Sequence, residues 1–195
     1  VGENTVSYRY EGAWSCMDGR GFMGFKAVEA TDATSGIITR TVYESSSPLL
    51  GGRTKHTEQR LSSVPVGGSA LISESDTTWN VTTTTNAGHS NTYFVTEASS
   101  TSKSYEVNRS ASSALVKTAT RNGFSYDGYG NLLTSTTTTT GTETFIETVT
   151  NTYADAPTST QWFLGRLETS SVTKTAPNPA GGGNISLTRA SSFAY

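Results

Sequence analysis

The sequence predicts an all-β protein built from consecutive antiparallel hairpins. Ser and Thr make up roughly a third of the 195 residues, and charged residues only 15%. β-Branched threonine favours the pleated surface of a strand, whereas the helix formers Ala, Lys and Glu are sparse. In the segment Thr142–Tyr153, the large side chains Phe145, Val149 and Tyr153 share one parity, as they do in a strand. We therefore expect little or no helix.

About a dozen strands follow from this alternation. The first three carry aromatic and aliphatic residues, the middle ones mainly Thr, Val and Tyr, and the last two Thr with Leu or Ile. In chain order the predicted strands are Thr5–Tyr10, Phe22–Thr31, Ile37–Tyr43, Ala70–Glu74, Thr78–Thr85, Thr92–Ala98, Lys103–Asn108, Leu115–Tyr126, Leu132–Thr139, Thr142–Tyr153, Leu164–Thr175 and Ile185–Tyr195.

Short turns separate these strands. Turn-forming residues fill DATSG (32–36), TNAGHSN (85–91), DGYGN (127–131), TTG (139–141) and NPAGGGN (178–184). We expect Leu132–Thr139 to pair with Thr142–Tyr153 around Thr140-Gly141. The run of five threonines at 136–140 would then form the solvent-facing and partner-facing side of a two-sided ribbon.

The chain divides into three blocks. Residues 1–44 form an N-terminal hairpin block, residues 45–68 a crossing segment, and residues 69–195 a second hairpin block. The crossing segment contains Pro48 and Pro65, which remove ladder donors, and two Gly-Gly pairs. A strand near Thr54–Leu61 is compatible with this segment. The chain begins with Val1, which suggests a processed piece or a fragment.

One turn has a defined chemistry. In Tyr126-Asp127-Gly128-Tyr129-Gly130-Asn131, the Asp127 carboxylate can accept hydrogen bonds from backbone N–H groups two or three residues on. Gly128 and Gly130 can adopt positive φ, and Asn131 tolerates the left-handed region. Tyr126 is expected to lie over the neighbouring strand. Partial copies of this pattern occur at Tyr10-Glu11-Gly12 and at Phe193-Ala194-Tyr195.

These motifs carry a resemblance to the Rhs/YD-repeat family, which includes SpvB-like proteins and the B components of toxin complexes. Tyr126 to Asn131 match the family's YDxxGN pattern. The segment Gly19-Arg20-Gly21-Phe22-Met23-Gly24-Phe25 looks like the GRGFxGF segment of SpvB-like chains. Trp162-Phe163-Leu164-Gly165-Arg166 is similar to the tryptophan and LGR that close one repeat.

The resemblance implies that β-ribbons wind into a hollow shell that encloses a toxic C-terminal cargo. At 195 residues this chain could supply at most a few turns of such a shell. The implied partners are the remainder of a larger YD-repeat protein and its cargo, and the implied location is secreted or at the bacterial cell surface. In this role, the motif residues act structurally.

Composition argues against several other functions. A net charge of -2 with scattered basic residues makes nucleic acid an unlikely ligand, and no 18-residue apolar run indicates a membrane span. One cysteine, Cys16, excludes an intrachain disulfide. No metal-ligand spacing and no cofactor motif is present.

No catalytic centre is predicted. His56 and His89 fall in polar, turn-like stretches, so solvated loop histidines are the better interpretation, and Cys16 is a semi-buried free thiol rather than a nucleophile. Glu143 and Glu147 share a strand face but lie about 13 Å apart, too far for paired glycosidase carboxylates.

A β-rich carbohydrate-binding or adhesion module remains the alternative. Exposed Trp79 and Trp162 could stack on sugar rings, although packing between hairpins explains most of the aromatic residues. The sequence also predicts self-association. A short piece of a ribbon leaves strand edges without neighbours, and its low charge gives little repulsion between copies.

Overall fold

A computed structural model describes residues 5–62, 70–84, 92–107, 113–154, 156–157, 162–163 and 165–195. Within them every regular element is a strand. The strands are β1 (Val6–Cys16), β2 (Gly21–Asp32), β3 (Ile37–Tyr43), β4 (Thr54–Leu61), β5 (Leu71–Thr84), β6 (Thr92–Glu106), β7 (Ala114–Tyr126), β8 (Leu132–Thr140), β9 (Thr144–Tyr153), β10 (Ala156–Pro157), β11 (Trp162–Phe163), β12 (Leu167–Pro177) and β13 (Asn184–Ser192).

Eleven of these strands form one open antiparallel sheet. Each strand pairs with its neighbour in sequence, from β1 through β9 and then β12 and β13. The short strands β10 and β11 pair only with each other. The predicted all-β fold of consecutive hairpins is therefore confirmed, and it is consistent with a YD-repeat ribbon.

The hairpin predicted around the threonine run is present. Thr134 pairs with Thr150 and Thr140 with Thr144, and residues 141–143 form the turn. The threonines, however, alternate between both faces of β8, and only Thr140 is exposed. The prediction that the whole run forms one solvent-facing side is wrong, because consecutive residues of a strand point to opposite faces.

Two predicted breaks between strands do not exist. Ala70–Glu74 and Thr78–Thr85 both fall largely within one strand, β5, and Thr92–Ala98 and Lys103–Asn108 both fall largely within β6. The polar residues between them continue the ladder, with Asp76 opposite Thr101. A strand that needs no buried face tolerates such residues, so polarity was a poor signal for a turn.

The predicted crossing segment contributes β4 to the same sheet, where it pairs with both β3 and β5. The loop before β4 packs back onto the N-terminal hairpin, since the Pro48 carbonyl accepts a hydrogen bond from Arg20 and a side chain at Gly51 would meet Met23. The block boundaries at 44/45 and 68/69 stay a prediction.

The sheet has two different faces. Register and alternation place the side chains of Glu11, Glu29, Arg40, Glu58, Glu74 and Lys103 on one face, together with the Thr pairs of the C-terminal strands; we call it the polar face. The opposite, apolar face carries Tyr8, Tyr10, Val28, Val81, Tyr93, Phe145, Val149, Val172, Ile185 and Leu187.

Full burial is rare on both faces. Among the described residues only Ala27 and Ser135 are buried, each with 3% of its surface exposed. The solvent-accessible surface is 12433 Å². A compact monomer of this mass exposes about 8,900 Å². The sheet is therefore much more open than a globular domain of the same length.

Candidate functional site

The turn after β7 is held by the Asp127 carboxylate. Its Oδ1 accepts hydrogen bonds from the backbone N–H groups of Tyr129 (2.9 Å) and Asn131 (2.8 Å), and its Oδ2 accepts one from the Asn131 side-chain amide (2.8 Å). Desolvation of the half-buried carboxyl opposes ionisation. The hydrogen bonds from Asn131, Tyr129 and Gly130 outweigh it and lower the pKa of Asp127.

Only one of the two glycines in this turn has the predicted backbone conformation. Gly130 has a φ of 92°, and a Cβ there would overlap the ring of Phe94. Positive φ at Gly128 and Asn131 is not observed, so that part of the prediction is wrong. Asn131 acts instead through its side chain, which makes the left-handed backbone unnecessary.

Tyr126 joins β7 to the preceding strand. Its hydroxyl donates to the carbonyl of Glu97 in β6 at 3.1 Å, and its ring stacks on Phe124 with the centroids 6.2 Å apart. Burial raises the pKa of Tyr126. The Tyr126 hydroxyl thus stays protonated and ties two strands together.

Two other tyrosines make the same contact. Tyr153, at the end of β9, donates to the carbonyl of Leu132 in β8 at 3.2 Å, and Tyr195 donates to that of Leu167 in β12 at 3.1 Å. Tyr195 belongs to a partial copy of the sequence motif, whereas Tyr153 lies in no copy. The shared signal is a tyrosine at or shortly after the end of a strand. Tyr10, in the first copy, instead packs on Phe25 at 4.8 Å.

Two motifs that are separate in sequence meet in the structure. Gly165 of the LGR segment has a φ of 75°, and a side chain there would lie 3.1 Å from the Asn131 side-chain oxygen. The next residue, Arg166, accepts a backbone hydrogen bond from Ala154 and lies over the Tyr195 ring at 5.3 Å. Leu164 lies outside the described residues, and for Trp162 only the backbone is described.

The GRGFxGF segment forms the β1–β2 turn and the start of β2. Gly19, Gly21 and Gly24 all have positive φ, and Arg20 pairs with Asp18 at 3.7 Å. Phe22 packs edge-on against Phe25 at 5.5 Å, which extends a row of aromatic rings from Tyr8 and Tyr10. Phe22, Tyr8 and Tyr10 remain more than half exposed.

Ion pairs cross the polar face in a row that sequence analysis did not find. Glu11 pairs with Arg40 at 2.7 Å, Glu29 with Arg60 at 3.0 Å, and Glu74 with Lys103 at 2.8 Å. We call this set the ion-pair ladder. Finding it requires the strand register, because its partners lie between 20 and 40 positions apart.

The ladder lowers the pKa of two carboxyl groups, those of Glu11 and Glu74. The hydrogen bond from Arg40 and its charge lower the pKa of Glu11. Hydrogen bonds from Lys103 and from the Tyr105 hydroxyl (2.7 Å) lower the pKa of Glu74. These carboxylates are therefore stabilised in their ionised form, as expected for structural pairs.

His56 does not lie in a loop, so that prediction is wrong. It belongs to β4, and its Nδ1 lies 2.8 Å from Asp76 on β5. The loop prediction failed because the polar residues around His56 form a strand with polar side chains on both faces. His89 lies outside the described residues. The Cys16 thiol at the end of β1 donates to the Asp18 carboxyl and lowers the pKa of that group.

The other candidate residues named in the sequence are Glu143, Glu147 and Trp79. Glu147 pairs with Lys174 at 2.9 Å, whereas Glu143 lies in the turn before β9. Trp79 donates its indole N–H to the Thr54 carbonyl at 2.9 Å, and the Arg53 guanidinium covers the ring at 4.8 Å. The glycan-stacking role of Trp79 and Trp162 stays a prediction.

Within the described ranges, no group of three or more His, Cys, Asp or Glu side chains could hold a metal ion. The same part of the chain has no helix long and apolar enough to cross a membrane.

Solved structures of bacterial toxin complexes share this fold. No protein-family profile and no curated protein matches the chain. It superposes on TcdB2-TccC3 without its hypervariable C-terminal region with a TM-score of 0.70 and 11% identity, and on TcdB2-TccC3 with 0.69 and 11%. The Tc holotoxin pore of Photorhabdus luminescens, with a mutation in TccC3, gives 0.67 and 12%.

Each of these matches covers 88% of this chain and 12% of the solved chain. The fold therefore corresponds to a segment of a much larger toxin-complex chain. At 11% to 12% sequence identity, these matches show that the fold is similar.

Proposed function

We propose that this chain is a non-catalytic structural strip of a bacterial YD-repeat toxin shell. The complete wall, secreted or held at the cell surface, encloses or delivers a C-terminal toxic cargo. The uncovered surface carries the proposal. The chain exposes 12433 Å², which is about 3,500 Å² more than a compact monomer of its mass exposes. Neighbouring strips of a larger wall would cover that surface.

The bonding of the motif residues supports a structural role. Asp127 accepts hydrogen bonds from groups of its own turn, and Tyr126, Tyr153 and Tyr195 donate to backbone carbonyls of the preceding strand or the residues beside it. A catalytic acid or base instead needs a polar atom that is accessible to the substrate and within hydrogen-bond distance of it. The solved proteins with this fold are named as toxin-complex components, which agrees with the proposal.

Electron microscopy of the protein encoded by the complete reading frame tests this function. We expect a hollow β-walled particle in which residues 5–195 form one strip of the wall, and a C-terminal segment protected from added protease. A separate, freely tethered domain with solvent on both faces would contradict the proposal.

A glycan array tests the carbohydrate-binding alternative. We expect no specific binding by the chain. Specific binding that the Trp79→Ala variant loses, with an unchanged melting temperature, would replace the shell proposal with a binding module.

A further inference from the structure

The outer edge of β13 is an exposed edge of the eleven-stranded sheet. All nine of its residues, Asn184–Ser192, are exposed, and no described strand pairs with its outer side. Strand edges of this kind bind further strands through their free N–H and C=O groups.

The hydrogen-bond pattern identifies which residues face outward. Phe193 donates its N–H to the carbonyl of Glu168, and Asn178 donates to that of Gly183. In an antiparallel pair, the bonding residues alternate along each strand. Odd-numbered residues of β13 therefore bond to β12, and Ser186, Thr188 and Ala190 turn their backbone groups outward.

The side chains along this edge set the chemistry of a partner. Leu187, 60% exposed, and Arg189 project on the apolar face. On the neighbouring strand, β12, the Lys174 side chain is paired with Glu147 at 2.9 Å. In contrast, no described carboxylate forms an ion pair with Arg189. Thr188 projects on the polar face and shares a hydrogen bond of 2.8 Å with Thr173.

We propose that the outer edge of β13 binds one antiparallel strand with an acidic residue directly opposite Arg189, an apolar residue opposite Leu187, and Ser or Thr opposite Thr188. The acidic residue supplies the missing cross-strand charge, and the hydroxyl continues the row of Thr pairs. The inference rests on the proposed function, because this strand would belong to the adjacent strip of the same wall.

The parity of the two sheet edges excludes the β1 edge as that antiparallel partner. Ala33 donates its N–H to the Thr5 carbonyl, so the odd-numbered residues at the start of β1 bond to β2. Its outward residues are Val6, Tyr8 and Tyr10, whose side chains lie on the apolar face. Antiparallel pairing with β13 would join the apolar face of one sheet to the polar face of the other.

The chain itself contains a strand with the required pattern, which supplies a probe. In β9, residues Glu147, Thr148 and Val149 stand in the order needed to face Arg189, Thr188 and Leu187 in antiparallel register. A fluorescent peptide with the sequence of residues 144–153 is therefore the probe, and the same peptide with Glu147→Lys is its matched control.

Fluorescence polarisation with the 195-residue chain at up to ~100 µM measures the selectivity. We expect the Glu147 peptide to bind about three- to fivefold more tightly than the Lys peptide, as befits one exposed charge pair. The Arg189→Glu variant should invert this preference. The Ala190→Pro variant removes one outward N–H and no bond to β12, so it should weaken binding of both peptides at least about tenfold.

Three results would overturn the inference: no binding of either peptide, equal binding of both, or unchanged selectivity in Arg189→Glu. A fourth result would also overturn the inference: binding that survives Ala190→Pro in a variant with an unchanged melting temperature. This result would show that the peptide displaces β9 instead of adding to β13. The shell itself is tested by electron microscopy. A β-walled particle without peptide selectivity would refute only the edge chemistry.

Discussion

At the scale of single residues, the turn after β7 shows how a carboxylate replaces backbone hydrogen bonds. Asp127 accepts three hydrogen bonds from Tyr129 and Asn131, so the turn needs positive φ only at Gly130. The sequence predicted the backbone acceptor role of Asp127 correctly. It could not predict the contact of Gly130 with Phe94, because Phe94 lies on another hairpin.

Replacing Asp127 with Ala should lower the free energy of unfolding by roughly 1 to 2 kcal/mol through the lost hydrogen bonds. Thermal melting of wild type and variant measures this loss, and an unchanged melting temperature would contradict it.

The contribution of Asp127 to stability should also depend on pH, because the pKa of its carboxyl group is lowered in the folded state. The contribution is present above the unfolded pKa of about 3.9 and is lost as the pH falls through the folded pKa. Urea titrations of wild type and Asp127→Asn at several pH values measure this, and an equally steep acid loss in the variant would refute it.

Gly130→Ala should destabilise the fold by about 1 to 3 kcal/mol, since alanine at positive φ is strained and its Cβ would collide with Phe94. Gly128→Ala is the matched control, because nothing lies within 4 Å of a Cβ there. The pair is compared by thermal melting. Similar losses in both variants would mean that the turn geometry described for Gly130 is incorrect.

At the scale of strands, the sequence predicted strand type better than strand connection. The Thr-rich hairpin of β8 and β9 followed from alternation and a Gly turn, which are local signals. The continuity of β5 and β6 and the ion-pair ladder depend on register between strands. A polar residue such as Asp76 indicates a turn in sequence, yet in this open sheet it faces Thr101 and bonds to His56.

The ladder yields a prediction for Glu74, which accepts hydrogen bonds from both Lys103 and Tyr105. Glu74→Gln should lower the free energy of unfolding by about 1 kcal/mol, because the amide keeps the shape of the carboxylate but not its charge. The loss should shrink in 1 M salt, which screens the ion pair. Urea titrations at low and high salt measure both effects, with Glu143→Gln in the exposed turn as the control. Equal losses at Glu74 and Glu143 would show that the ladder contributes nothing.

At the scale of the whole molecule, no described element forms the second layer that buries the apolar surface of most domains. Its strands are held by backbone ladders, tyrosine bonds, ion pairs and Thr pairs, and among the described residues only Ala27 and Ser135 are fully buried. Both strand edges and the row of Tyr8, Tyr10 and Phe22 stay exposed. A ribbon in a larger wall would have these properties, because its neighbours complete the burial.

Sedimentation velocity of the 195-residue chain at micromolar concentration tests this central claim most directly. A net charge of -2 gives weak repulsion between copies, so the exposed edges and apolar face should drive concentration-dependent self-association above the 20.6 kDa monomer. A monomer that remains stable over days and melts cooperatively would contradict the account, because it would show that the sheet needs no neighbouring strip.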